Sequence, residues 1–317
     1  MPAPKGITDE QVIDALRQLG SPKKAAVYLG ISERAVYMRR DKVQAKTGIE
    51  LPSFAAPQQS VIAKTMIPDN RRIIKHSIEN GVILVGSDAH YWPGEASVAH
   101  KAFVAVAKAL KPDAIVLNGD VLDGARISRH DPLYRTNPPT VKQEIDACQE
   151  RLGEIEKASK NSTLFWTYGN HDVRLWRYIQ VNAPELHGMP SVELFEHFPG
   201  WHHGWRLDIN DHVVIKHRLN NGIHAAYNNT LKSGRTIVTG HLHRLCVTPW
   251  GDYDGRRWGV DTGTLADPEG DQFVYMEEGP ATGCSGFAVL TFRGGMLLPP
   301  ELCEVIGGVA YFRGKAL

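Results

Sequence analysis

Residues 163–172 read TLFWTYGNHD, and this stretch decides the fold. The apolar run Leu164, Phe165 and Trp166 predicts a buried strand, which stops at the glycine of the tetrad at residues 169–172. The tetrad then presents a carboxamide, an imidazole and a carboxylate, side chains that act on a metal or a proton. Because open α/β sheets keep their ligands at the carboxyl ends of their strands, the stretch predicts a site at that edge of such a sheet.

The same arrangement recurs along the chain, with helices predicted between strands at residues 97–110 and 141–160. Strands that alternate with helices indicate an α/β sheet. After residue 245 the chain is rich in glycine, tryptophan and short strand-like segments, which predicts a second sheet with few helices. The further apolar runs that end in polar side chains are residues 82–85, 114–117, 213–215 and 236–238.

Each of the five runs is followed by side chains that can bind a metal. These are Asp88, His90, Asp120, Asp123, Asn170, His171, His217, His241 and His243. Residues two positions apart on an extended segment point to the same side, so Asp88 with His90, and His241 with His243, are each predicted to serve one site. Oxygen and imidazole ligands without thiolate suit two divalent ions such as Mn, Fe, Zn or Co. Two such ions about 3.5–4 Å apart would stabilise a hydroxide for in-line attack on phosphorus, which predicts phosphoester hydrolysis.

The motifs D-x-H, G-D-x-x-D, G-N-H-D and G-H-x-H, with a strand-end histidine before the last, resemble those of the calcineurin-like metallophosphoesterase superfamily over residues 81–267. The resemblance implies an α/β fold of two packed mixed β-sheets flanked by helices, a four-layer sandwich. It also implies two metal sites that share Asp120 as a bridge. Besides Asp120, one site would use Asp88, His90 and His243, and the other would use Asn170, His217 and His241. Mn is the favoured metal, and Fe, Zn, Co and Ni are alternatives.

The resemblance gives His171 a catalytic role rather than a metal-binding one. It would protonate the leaving oxygen or stabilise its charge, oriented by the carboxylate of Asp123 or, as second candidate, Asp172. Protein Ser/Thr phosphatases of the superfamily have arginine where Gly124 stands and glutamate where Asp172 stands, which disfavours that branch. Candidate ligands of the substrate phosphate are the arginines just beyond the motifs, Arg126, Arg129 and Arg174.

Residues 1–48 are predicted to form a separate basic domain. They carry nine basic and five acidic residues, a net charge of +4 that leaves −3 for the rest of the chain. Helices predicted at residues 8–19, 22–29 and 33–45 resemble the helix-turn-helix modules of phage and bacterial DNA-binding proteins. The predicted DNA contacts lie on the third helix and are Arg34, Arg39, Arg40 and Lys42. A small helical bundle for oligomerisation, with these side chains merely solvated, is the alternative.

Residues 49–80 contain several prolines without hydrophobic periodicity and are predicted to be a linker, which leaves residues 81–317 for the metallophosphoesterase domain. No stretch approaches the roughly 18 apolar residues of a membrane span, and the start lacks the apolar segment of a signal peptide. A cytoplasmic protein without a membrane partner is therefore expected. The four cysteines form no C-x-x-C pair, which predicts free thiols.

The sequence favours a two-metal phosphodiesterase or nuclease, of phage type, that its N-terminal module brings to DNA. The acidic balance of the catalytic body counts against an extended DNA groove of its own, although two bound ions would add +4 locally. One alternative is a phosphatase or cyclic-nucleotide phosphodiesterase for a small molecule, with the helical module setting a homo-oligomeric state. Another is a DNA-binding regulatory or assembly protein whose esterase is inactive.

Overall fold

The computed structural model describes residues 6–19, 21–47, 72–129, 137–276 and 283–317. Contacts between residues divide the chain into two compact units, Met1–Lys64 and Thr65–Leu317. Most of the predicted linker, residues 49–71, lies outside the described residues, so its boundaries remain a prediction. No helix among the described residues is long and apolar enough to cross a membrane.

The first unit contains three helices at the predicted positions, α1 (Asp9–Leu19), α2 (Pro22–Leu29) and α3 (Glu33–Thr47). The hydroxyl of Ser21 accepts a hydrogen bond from the N–H of Lys24 and caps α2, which ends at Gly30 in a left-handed conformation. Apolar side chains from all three helices share one small core, which comprises Val12, Ala15, Leu16, Ala25, Ala26 and Val36.

The second unit is built from two β-sheets, which have nine and six strands within the described residues. The larger sheet runs in the order β15 (Lys315–Ala316), β14 (Val309–Phe312), β13 (Glu301–Ile306), β11 (Gly286–Arg293), β2 (Gly81–Gly86), β3 (Ala114–Leu117), β4 (Thr163–Thr167) and β5 (His202–Gly204), with β12 (Met296–Leu297) paired to β11. The smaller sheet runs in the order β1 (Ile73–His76), β6 (Arg206–Ile209), β7 (Val213–Ile215), β8 (Thr236–Thr239), β10 (Gly255–Thr262) and β9 (Leu245–Asp252).

The central strands of the larger sheet are buried on both faces, as their continuous apolar sequences require. Along β2, Ile83 faces the smaller sheet, whereas Leu84 faces α4 (Val98–Leu110) and α5 (Val141–Ala158). Helix α7 (Ala225–Ser233) packs on the smaller sheet, and α6 (Arg174–Asn182) follows the tetrad. The order helix, sheet, sheet, helix confirms the predicted fold class.

Two details differ from the sequence-based expectations. The strands after residue 245 do not form a sheet of their own, because β9 and β10 join the smaller sheet and β11 pairs with β2 of the larger one. Strand β1 lies within the predicted linker and pairs in parallel with β6, with Ile73 opposite Arg206. Alternation of apolar residues shows where a strand is but not which distant strand it pairs with, and four residues are too few to show alternation.

Candidate metal centre

The site lies at the carboxyl ends of strands from both sheets. Strands β2, β3 and β4 are mutually parallel, so the loops after them carry Asp88, Asp120 and Asn170 to one edge of the larger sheet. Strands β7 and β8 of the smaller sheet are also parallel, and they deliver His217 and His241. Because the two sheets pack face to face, these loops meet at one place.

Among the described residues, three groups have ligand atoms within 4.8 Å of one another. Two of them hold only candidate metal ligands, Asp88 with His90 and His243, and Asp120 with His217 and His241, and the third joins His90 to Asp123 and His171. The groups adjoin, because Nε2 of His217 lies 3.0 Å from Oδ2 of Asp120 and 3.9 Å from Oδ1 of Asp88. Nε2 of His243 is 3.2 Å from the same Asp88 oxygen. The family resemblance assigns the members of the first of these two groups to one metal site and those of the second to the other.

Unpaired buried atoms show that these residues fit a pair of divalent ions. Among the described residues, Oδ1 of Asp88, Nε2 of His90, Oδ1 of Asn170 and Nε2 of His217 are buried without a hydrogen bond. Leaving such an atom unpaired costs about 1–3 kcal/mol. Ligands at about 2.1 Å from a metal lie about 3 Å apart when their bonds meet at right angles, and the closest contacts here have that length. The carbonyl oxygen of Asn170 therefore has no partner among the described residues and could bind a metal.

The backbone of the ligand loops is strained rather than extended. Five candidate ligands have φ between 41° and 71°, namely Asp88, His90, Asp120, His241 and His243. Each such conformation costs about 1–3 kcal/mol and persists where the surrounding structure imposes it, which is common at functional sites. The extended conformation predicted from the sequence is therefore wrong. Asp88 and His90 nevertheless share one group, whereas the two histidines of the G-H-x-H motif belong to different groups.

The glycines before Asp120 and Asn170 let two loops approach closely. A Cβ on Gly169 would lie 2.1 Å from Oδ1 of Asp120, and one on Gly119 would lie 2.5 Å from Nδ1 of His217. The glycines of these motifs therefore leave room for the ligands of the neighbouring strand.

Buried charges shift the pKa values of the second group. Burial lowers the pKa of His217, but the carboxylates of Asp120 and Asp88 outweigh burial and raise it to about 10. Burial, reinforced by His217, lowers the pKa of His241 to about 4. At neutral pH His241 is therefore a ready ligand, whereas His217 must release a proton before it binds a metal.

Asp123 connects two of the imidazoles. Its Oδ1 atom lies 2.8 Å from Nδ1 of His171 and 3.1 Å from Nδ1 of His90, and Oδ2 accepts a hydrogen bond of 3.1 Å from the indole of Trp92. Burial favours its protonation, but the bonds to His171 and His90 hold the pKa of Asp123 well below its usual range. A carboxylate on both Nδ1 atoms directs the two Nε2 atoms toward the metal groups.

Asp172 does not orient His171. Its carboxylate accepts hydrogen bonds from the N–H groups of the two loops after β3 and β4 and from the indole of Trp166. The backbone donors are Asp120, Val121, Leu122 and Gly169. The second candidate for orienting His171 is therefore a residue that holds the ligand loops together, and Asp123 contacts the imidazole instead.

Of the predicted phosphate ligands, only Arg174 is seen in contact with the catalytic candidate. Its Nη2 atom lies 3.0 Å from Nε2 of His171, and its Nη1 donates to the carbonyl of Asp123. Arg126 instead donates to the carbonyl of Pro138 and to Asn137. Arg129 is exposed.

Two further arginines, Arg177 and Arg218, lie near the site, although neither was predicted from the sequence. Burial and the positive charges of Arg218, Arg129 and Arg174 lower the pKa of Arg177. Three guanidinium groups are therefore within electrostatic reach of Arg177. Their positions in the sequence could have indicated this, since Arg177 is one helical turn after Arg174 and Arg218 directly follows His217.

The predicted DNA contacts on α3 differ in their surroundings. Arg34 is exposed, but Arg39 donates a hydrogen bond to the carbonyl of Ile7 and so joins α3 to the residues before α1. Arg40 pairs with Asp41 at 2.7 Å. Lys42 lies 3.8 Å from Asp9.

Comparison with known proteins gave one family and several relatives. The sequence model described as calcineurin-like phosphoesterase matches residues 81–258, more than half of the chain. The Gene 54 protein of Mycobacterium phage L5 is 26% identical over 66% of this chain and 88% of its own length. The Gene 54 protein of phage D29 is 27% identical over the same shares. A solved archaeal phosphodiesterase is 15% identical, with a TM-score of 0.37, over 71% of this chain and 99% of that one.

Proposed function

This chain belongs to the calcineurin-like phosphoesterase family and is a metal-dependent phosphoesterase, and we propose that it is a two-metal phosphodiesterase that cleaves DNA. The observation that carries the proposal is the pair of adjoining ligand groups around His217, with unpaired buried atoms in both. Asp88, His90 and His243 would hold one ion, Asn170, His217 and His241 the other, and Asp120 would serve both. Divalent ions there, Mn above all, would supply Lewis-acid charge and an activated water for attack on phosphorus.

The residues of the chain divide the remaining work. Asp123 fixes His171 with Nδ1 protonated, so that Nε2 faces the place where the phosphate would bind. Once protonated, Nε2 of His171 can donate to the leaving oxygen, and Arg174, 3.0 Å away, stabilises charge at the same position. Asp172 keeps the loops after β3 and β4 together.

The arginine cluster supports a polyanionic substrate. The positive charges of Arg129, Arg174 and Arg218 disfavour the charged form of Arg177, and a substrate with several phosphates would relieve this repulsion. A small monoester would engage one or two of them. The second unit is acidic overall, which counts against DNA binding. These arginines nevertheless concentrate positive charge beside the metal centre.

The N-terminal helices would bring the enzyme to DNA through the exposed Arg34 and the helix that carries it.

A second role, oligomerisation, is favoured by one observation: three large apolar side chains of this unit are strongly exposed, Val27 (79%), Tyr28 (72%) and Met38 (66%). Isolated apolar residues are common on surfaces, but these belong to neighbouring helices of one small unit.

Hydrolysis of an end-labelled DNA oligonucleotide in Mn tests the proposed function, with p-nitrophenyl phosphate as the monoester comparison. We expect cleavage of the oligonucleotide that EDTA and His171→Ala each abolish. Hydrolysis of the monoester alone would move the assignment to a phosphatase. DNA retention without any hydrolysis would favour a regulatory protein. Sedimentation of wild type and Tyr28→Ala would test oligomerisation.

A further inference from the structure

A cavity lies between the start of α7 and the ribbon formed by β9 and β10. Its volume is about 430 Å³, which suits a small-molecule group of moderate size. The small side chains of Ala225 and Ala226 line it on the α7 side, and Cys246 and Thr248 line it on β9. The helix begins without a side-chain cap, since no side-chain hydrogen bond is made at its N-cap residue, His224.

An unpaired carboxyl group lines this cavity. Asp261 lies opposite Cys246 in the ribbon and is 1% exposed, and neither of its carboxylate oxygens has a hydrogen bond among the described residues. The N–H of Gly263 is nearby but donates to the carbonyl of Arg244 at 2.6 Å. A buried carboxyl group without partners costs several kcal/mol unless a ligand satisfies it.

The same carboxyl group is within electrostatic reach of the metal centre. Burial raises the pKa of Asp261 well above its usual value, and the charge of Asp88 raises it further, while Gly263, His217 and Arg244 oppose the rise. Arg244 directly follows the ligand His243 in the chain. Asp261 also pairs with Thr239 on β8, two residues before the ligand His241. A group in the cavity would therefore be close to a phosphate at the metal centre.

The remaining walls supply a cation and an aromatic ring. Nη1 of Arg244 donates to the carbonyls of Gly222 at 2.9 Å and Ile223 at 2.6 Å, so the guanidinium is held at the cavity wall. Tyr227 is 37% exposed and meets Trp250 edge to face, with 5.2 Å between ring centroids. A planar ring could stack on Tyr227 while its edge meets Asp261.

We propose that this cavity binds a nucleobase of the substrate, the one next to the scissile phosphate, an inference that rests on the proposed cleavage of DNA. A nucleobase is neutral and planar, and its edge carries N–H donors that the carboxyl oxygens of Asp261 can accept. An anion without N–H groups offers these oxygens no donor, and an apolar group would leave them unpaired. The unused N–H groups of Arg244 can meet ring nitrogens or carbonyl oxygens of the base.

Titration calorimetry of the full-length chain with the four deoxynucleosides, in EDTA, tests the cavity without any catalysis. We expect at least one deoxynucleoside to bind, and to bind at least tenfold more weakly to Asp261→Asn and to Tyr227→Ala. Tyr253→Ala is the matched control, because Tyr253 lies in the turn of the same ribbon, fully exposed and outside the cavity. The Tyr253→Ala variant should bind the deoxynucleoside with the same affinity as the wild type. If Asp261→Asn fails to fold, Tyr227→Ala alone decides the result.

Hydrolysis of bis(p-nitrophenyl) phosphate by the same wild-type preparation separates the two proposals. Hydrolysis together with no deoxynucleoside binding, or with binding that Tyr227→Ala leaves intact, would overturn the cavity proposal alone. Deoxynucleoside binding that Tyr227→Ala weakens, without hydrolysis of any diester, would support a base-binding cavity but refute the proposed function and the scissile-phosphate part of the inference.

Discussion

At the scale of single residues, the site depends on carboxylates that touch no substrate. Asp123 accepts from both His171 and His90, so it sets the tautomer of one catalytic and one metal-binding imidazole. Glu144 accepts hydrogen bonds from the N–H groups of Gly124 and Ala125 and so holds the residues that follow Asp123. The family resemblance predicted that Asp123 orients His171, but not its contact with His90. The role of Glu144 could not be inferred from the sequence, since it is one of several acidic residues on α5.

Asp123→Asn should lower kcat for bis(p-nitrophenyl) phosphate by about 10–100-fold, as losses of such supporting hydrogen bonds do. Asparagine loses the negative charge that favours protonated Nδ1 atoms, and its NH2 group must face either the indole N–H of Trp92 or both imidazoles. Steady-state kinetics at saturating Mn would measure the effect. Trp92→Phe is the matched control, because it removes only the indole bond to Asp123 and should change kcat by less than about threefold. Wild-type kcat in Asp123→Asn would contradict this role.

Glu144 should make the metal-free protein less stable as the pH rises. Burial, reinforced by the charge of Asp123, raises the pKa of Glu144 to about 8. The folded state then holds a proton that the unfolded state releases near pH 4.5, so stability is lost as the pH rises through about 8, by up to a few kcal/mol. Urea unfolding in EDTA at pH 6 and pH 9 measures the loss. Glu144→Gln should lose less over this range, and an equal loss in both proteins would refute the assignment.

At the scale of elements, the loops after β3 and β4 act as one unit around Asp172. Its oxygens accept from three backbone donors in the first loop, from Gly169 in the second and from Trp166 on β4. An asparagine has only one acceptor oxygen there, so it would lose at least two hydrogen bonds to a charged group.

Asp172→Asn should therefore reduce the free energy of unfolding by at least about 3 kcal/mol, at about 1.5 kcal/mol or more for each lost bond. Urea denaturation measures this directly. Asp267→Asn is the control, because Asp267 is exposed and accepts from one nearby N–H only, so its change should stay within about 0.5 kcal/mol. A loss in Asp172→Asn as small as in the control would contradict the account.

At the scale of elements, some features of the fold and the site could be predicted from the sequence and others could not. Strands such as β3 and β7 have the predicted bounds, and the ligands meet as expected, because polar residues after parallel strands must share one edge. The partner of β11 could not be predicted, since pairing across about 200 residues leaves no local pattern. The left-handed backbone at Asp88 and His241 was also missed, because packing of the loops, rather than residue type, imposes it.

At the scale of the whole molecule, the arginine cluster should separate a polynucleotide from a small diester. Arg177→Ala combined with Arg218→Ala should raise KM for an oligonucleotide about tenfold or more and KM for bis(p-nitrophenyl) phosphate far less. It should also reduce the salt dependence of oligonucleotide binding, by a slope of about 1 for each lost phosphate contact. Arg293→Ala, at the exposed end of β11, is the control. Equal changes in KM for both substrates would contradict a polyanion site.

In the proposed function, two adjoining ligand groups bind two metal ions that together hydrolyse a phosphodiester. Its most direct test titrates the metal-free protein with Mn and follows hydrolysis of bis(p-nitrophenyl) phosphate against the number of ions bound per chain. We expect the activity to rise until two ions are bound per chain and then to remain constant. Full activity with one bound ion, or no hydrolysis with two, would contradict it.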